Sequence, residues 1–172
     1  MQCCGANSLA GRLAVWLASG LGVGFAFPAP GTIGGLWGIP LAVALARLPD
    51  DYWQLGAIAI LLAAAVGVCA FAADAMGEAK DPQPIVLDEI VVLPIVYLHS
   101  GSLTWRLLLT GYLLFRLCDV WKPGLVRTAE RLPRGWGIVA DDALAAVLAW
   151  ALLQVAMRID AATGLQWIAT AA

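Results

Sequence analysis

Five carboxylates stand where the chain is otherwise apolar. Asp88 and Glu89 open the run "IVLDEIVVLPIVYL", residues 85 to 98. Asp119 lies in "FRLCDVWKP", and Asp141 and Asp142 lie in "GWGIVADDALAAVLAW". An ionised carboxylate in hydrocarbon costs several kcal/mol, so such groups face a bundle interior, a partner or water. Five together repel, and a divalent cation is the simplest neutraliser. An all-oxygen set without His or Cys suits Mg²⁺, with Asp88, Glu89, Asp141 and Asp142 as its expected ligands. The competing reading is that each pair caps a helix N-terminus. Apolar residues precede both "DE" and "DD", whereas capping acids usually sit at a polar edge.

Two further constellations suit an anion. Arg116, Asp119 and Lys122 are spaced by three and follow one helical face. Arg grips a phosphate bidentately and Lys adds a point charge, while an intrahelical ion pair with snorkelling side chains explains the same spacing. In "FPAPGTIGGLWG", residues 27 to 38, Thr32 is the expected N-cap of a helix with Gly34 and Gly35 in its first turn. Amides at such a start bind anions, and a plain turn with close glycine packing is the alternative. No GK[ST] follows, so this is not a Walker A loop.

These residues must be positioned by apolar elements. Six stretches are legible: Leu9 to Phe27, Ile33 to Leu48, Trp53 to Ala73, Ile85 to Leu98, Leu103 to Leu117 and Ile138 to Met157. Ala and Leu dominate and no period-two alternation persists, which predicts an all-α membrane bundle of five to six apolar helices in one domain, 1–172. The third stretch has the length a bilayer needs; the fourth and fifth are short, and either span as a tilted pair or are buried in protein. If stretches two and three form one hairpin and four and five another, all five acids gather at one end. Lys80, Lys122, Arg127, Arg131 and Arg134 lie in the connections at that end, and Arg47 and Arg106 flank the short turns, so the acidic end is expected to face the cytoplasm. A spanning first stretch would put Arg12 on the wrong side, so re-entrant or interfacial placement is expected there. Trp37, Trp53, Trp105, Trp121 and Trp136 read as an interfacial belt. Ala145, Ala146 and Ala149 form a small face that lets the last helix approach closely.

The bulk numbers agree. The 172 residues are 62% hydrophobic and 13% charged, where soluble domains run at about 45–50% and about 25%. Mean hydropathy is +0.84. A net charge of −2 argues against a nucleic-acid binder. His99 is the only histidine and no CxxC pair exists, which excludes His-based triads and the common zinc spacings. Cys3 and Cys4 read as inert thiols or acylation sites. The first twenty residues lack the basic start and cleavage site of a signal peptide.

Taken in order, "PAPGTIGGLWG", "KDPQPIVLDE", "FRLCDVWKPG" and "GWGIVADDALA" resemble the phosphatidylglycerophosphatase A family over roughly Gly20 to Trp150. The resemblance implies a Mg²⁺-dependent phosphatase of a bacterial inner membrane. Its substrate would be phosphatidylglycerophosphate and its product phosphatidylglycerol. The functional residues it implies are Thr32, Asp88, Glu89, Arg116, Asp119, Lys122, Asp141 and Asp142. Three positions depart from the family pattern: Val92 and Ala146 replace glycines, and Gly35 replaces a serine. None removes a charge. The rival class is a small ion-coupled transporter, which would spread its acids through bilayer depth rather than cluster them at one face. A non-catalytic subunit or a lipid phosphotransferase are further alternatives, the latter lacking its DGxxAR-type run here.

Overall fold

The computed structural model describes residues 8–25, 29–77, 83–122 and 135–168. Among them are seven α-helices, one 3₁₀ turn and no strand. The helices are α1 (Leu9–Ala18), α2 (Pro30–Leu36), α3 (Gly38–Leu45), α4 (Asp51–Met76), α5 (Leu87–Val96), α6 (Trp105–Trp121) and α7 (Gly135–Thr163). The all-α expectation holds. Of the five to six apolar helices expected, two among the described residues, Asp51–Met76 and Trp136–Thr163, are long and apolar enough to cross a bilayer, and Leu9–Ala18 and Pro30–Leu45 are apolar but shorter.

Local chemistry explains the shorter pieces. Ser8 Oγ accepts from Gly11 N–H and starts α1. Gly20, Leu21 and Gly22 then all take positive φ, which no right-handed helix can carry, so the first stretch stops after ten helical residues. At about 15 Å, α1 is half a bilayer long. The second stretch breaks at Trp37. Pro40 has no N–H for the Leu36 carbonyl and its ring crowds that carbonyl, so α2 and α3 meet there at a joint. Trp37 is exposed at that joint. The other four belt tryptophans are exposed at helix ends.

Helix α4 is capped by Asp50, which accepts from Tyr52 and Trp53 N–H, and by the left-handed Gly77. Its spanning window is only 22% buried, and Trp53, Leu55, Ile60 and Phe71 are exposed along it. Apolar surface on that scale marks a membrane protein. By contrast α5 is buried nearly all round. Val92, Leu93 and Val96 are fully buried, with α3, α4 and α7 packed against the helix and α2 over its start. The run that opens on Asp88 is apolar because it is the core.

Contacts fix two ends. His99 Nε2 lies 2.9 Å from Asp51 Oδ2, and Trp150 Nε1 donates to the Leu98 carbonyl. The turn before α4, the α5–α6 turn and the far half of α7 thus share one end. At the other end Val86 N–H donates to the Ala18 carbonyl, and the start of α5 meets the close of α6 and the first turns of α7.

Candidate functional site

Helix α5 supplies the first pair of acids. No side chain caps it at Val86, and Asp88 Oδ1 accepts the Glu89 N–H at 3.0 Å, satisfying one amide of the first turn. Glu89 turns away from its own backbone. Its Oε2 accepts from Arg116 Nη1 at 2.9 Å, and the same nitrogen donates to Asp119 Oδ2 at 2.8 Å. One guanidinium therefore clasps α5 to α6 and holds two carboxylates.

Helix α6 ends at Lys122, whose φ of +42° is a left-handed C-cap. That turn aims Nζ at Asp141 Oδ2, 2.7 Å away on α7. Asp141 and Asp142 lie in the second turn of α7, not at its cap, and both are buried, so capping does not explain them. The charges of Asp88, Asp119, Asp141 and Glu89 all bear on Asp142. The close approach comes from the small face: Ala145, Ala146 and Ala149 are fully buried where α7 packs on α5 and α6.

The glycine segment forms the roof. A Cβ on Gly31 would collide with Glu89 Oε1, and one on Gly35 would stand 3.0 Å from Oε2. Glycine packing, the alternative weighed for this segment, is thus what the structure has. Thr32 is not the N-cap. Helix α2 begins at Pro30 with Ala29 before it, so Thr32 is the third helical residue and exposed. Its carbonyl accepts from Tyr112 Oη at 2.6 Å.

The structure therefore gathers Asp88, Glu89, Arg116, Asp119, Lys122, Asp141 and Asp142 from three helices, with Thr32 at the rim. It adds Tyr112, buried and packed against Gly35, which sequence reasoning passed over. The available signal was its position four residues before Arg116, on the same helical face. Lys80, Asp81, Arg127, Arg131 and Arg134 lie outside the described residues, as do Cys3 and Cys4. Cys69 and Cys118 are buried. Among the described residues no three His, Cys, Asp or Glu side chains converge as a ready metal cage.

Chemically, the site is a buried anionic cluster edged by two cations, at one end of an apolar bundle. No solved structure matches the chain. It is 34% identical over 140 residues to phosphatidylglycerophosphatase A of Escherichia coli, covering 80% of this chain and 79% of that protein. Identity to the Haemophilus influenzae protein of the same name is 39% over 134 residues, covering 77% and 82%. A candidate phosphatidylinositol-3-phosphatase of Bacteroides thetaiotaomicron is 32% identical over 149 residues, covering 84% and 93%. The family profile of phosphatidylglycerophosphatase A matches residues 16–157, which include every residue of the cluster, and the chain belongs to that family.

Proposed function

We propose that the protein removes the terminal phosphate of phosphatidylglycerophosphate, in a Mg²⁺-dependent reaction on the cytoplasmic face of a bacterial inner membrane. Family membership makes the chain a phosphatase, a phosphoric monoester hydrolase. The observation that carries the finer reading is the gathering of five carboxylates with Arg116 and Lys122 at one end of the bundle. A lipid phosphatase needs its polar chemistry at that depth, because the acyl chains stay in the bilayer.

The donor set fits Mg²⁺. The carboxylates supply only oxygen, and Mg²⁺ keeps much of its water, using one or two carboxylates plus substrate phosphate rather than a closed protein cage. Asp88, Glu89, Asp141 and Asp142 are the residues that would hold it. Bound there, the ion supplies charge neutralisation and a more acidic water.

The protein's own groups do the rest. Arg116 spends one nitrogen on Glu89 and Asp119, and its fork carries further donors that suit a phosphate oxygen. Lys122 balances Asp141 and offers a second cation to the dianion. A buried aspartate then either takes the proton of the attacking water or attacks phosphorus itself. Trapping of a phosphorylated protein in an acid quench separates these routes. The whole chain, 1–172, works as one unit, with α4 and α7 spanning the bilayer in contact with each other, α5 packed against both, α1 on α4 and α6 on α7.

The test is phosphate release by purified protein in detergent, with Mg²⁺ and then with EDTA. Release that stops with EDTA is expected. Folded protein that releases nothing under either condition refutes the reading and returns the acids to the ion-carrier alternative. Phosphatidylinositol 3-phosphate belongs in the same assay, since one relative is named for it. We expect phosphatidylglycerophosphate to be the better substrate.

A further inference from the structure

We propose that the open cavity between α1 and the C-terminal end of α4 receives the diacylglycerol part of the lipid substrate, with Arg12 facing the phosphodiester. This rests on the lipid-phosphatase reading and adds to it a subsite outside the carboxylate cluster. The cavity measures about 670 Å³, and its walls include Leu13, Trp16, Phe25, Ala75 and Met76. Arg12 is its one charged lining residue among those described. A mostly apolar pocket with a single fixed charge is the pattern of a site for an amphiphilic anion.

Three observations favour a lipid over a protein partner. First, the exposed face of α1 is itself apolar, with Leu9, Leu13, Trp16 and Leu17 at helical spacing and Arg12 beside them. A short helix of that kind lies in a membrane interface. Second, Arg12 makes no ion pair among the described residues, so its charge is available to a phosphate. Third, the cavity lies at the site end, where Ala75 and Met76 close α4. Phe25 follows Gly24, which sits against the Pro84 carbonyl so closely that a Cβ would collide with it. The Ala18 carbonyl holds Val86 N–H, two residues before Asp88. A lipid seated along α1 thus has its head group beside α5.

The experiment compares dioleoyl and dihexanoyl phosphatidylglycerophosphate with the full chain in detergent. Wild type is run against Arg12→Gln and against Leu13→Trp, which fills the cavity from an exposed position. The ratio of kcat/KM for the long-chain over the short-chain substrate should fall about tenfold in Leu13→Trp, whereas Arg12→Gln should lower kcat/KM about tenfold for both substrates, which share the phosphodiester. A Leu13→Trp ratio or an Arg12→Gln kcat/KM that stays at the wild-type value overturns the proposal. If wild type cleaves neither substrate, the phosphatase reading has failed, and a second measurement judges the cavity alone. Fluorescence of wild type minus that of Trp16→Phe reports Trp16, and phosphatidylglycerol with brominated chains should quench it. Quenching should weaken in Arg12→Gln and with a zwitterionic head group on the same chains. No quenching of the Trp16 signal, or equal quenching by both head groups, overturns the assignment.

Discussion

At the residue scale, Asp142 carries the most exposing test. It is buried, and the charges of four other carboxylates bear on it. Asp142→Asn keeps the shape and removes one of the repelling charges. The variant should melt at or above the wild-type temperature in detergent while turnover drops by about a thousandfold. A wild-type rate would falsify the role given to this acid. Arg116 tests the opposite sign. Arg116→Ala leaves Glu89 and Asp119 facing each other without their cation and should cost about 3 kcal/mol in a denaturation series. Arg116→Lys restores charge and most of that stability, but a point charge cannot span both acids and a phosphate, so activity should stay about tenfold down. These charged residues were legible because ionised groups are rare in an apolar chain. Tyr112 was not, since its partner is the Thr32 carbonyl, and every residue has a carbonyl.

At the scale of elements, the glycines of α2 and α3 decide how near those helices come to α5. Gly34 faces Val86, whose Cβ would lie 2.6 Å from an added methyl, and Gly38 faces Leu93 at 2.7 Å. The Ile90 carbonyl, which Pro94 cannot serve as a donor, also points at Gly38. Gly34→Ala should therefore cost about 1–3 kcal/mol by overpacking. Gly56→Ala, on α4 with open space around it, should be neutral or stabilise by up to about 1 kcal/mol. Gly31→Ala separates packing from chemistry, because its methyl meets Glu89 rather than a hydrophobic wall. Its expected signature is a loss of kcat larger than its loss of melting temperature. Glycine spacing in "PGTIGGLWG" was readable as close packing, but its target was not, because sequence does not state which helix lies opposite. The break at Trp37 was readable too, through Pro40 inside an apolar run. Hydropathy alone passes over it, since Pro40 interrupts the hydrogen-bond ladder and not the apolar pattern. The burial of α5 stayed open for a related reason. A ten-residue run that is apolar on every face suits a short span and a core helix equally, and only its neighbours choose between them.

At the scale of the molecule, orientation follows from where the charges lie. The described site end holds Arg12, Arg116 and Lys122. The connections that carry Lys80, Arg127, Arg131 and Arg134 in sequence also start from it. Because α1 ends after ten residues, Arg12 stays at that end, which removes the conflict a spanning first stretch would create. At the opposite end Arg106 is held over the rings of Trp105 and Trp167, at 5.4 and 4.9 Å, an arrangement suited to an interface rich in tryptophan. The exposed Trp105 and Trp121 close the two ends of α6, about 24 Å apart along its axis. That is slightly less than a hydrocarbon core, as expected for a helix shielded partly by its neighbours. The site end should then face the cytoplasm and the His99 turn the periplasm. With Cys3 and Cys4 replaced by serine, Gln83→Cys should react with an impermeant maleimide only in inside-out vesicles. Tyr52→Cys, at a residue 86% exposed beside the His99 turn, should react only in intact spheroplasts. Labelling of both from one side would mean that α4 does not cross the bilayer. The carboxylate cluster would then have to reach its lipid from a bundle lying on the membrane, and the 22% burial of α4 would need another apolar cover.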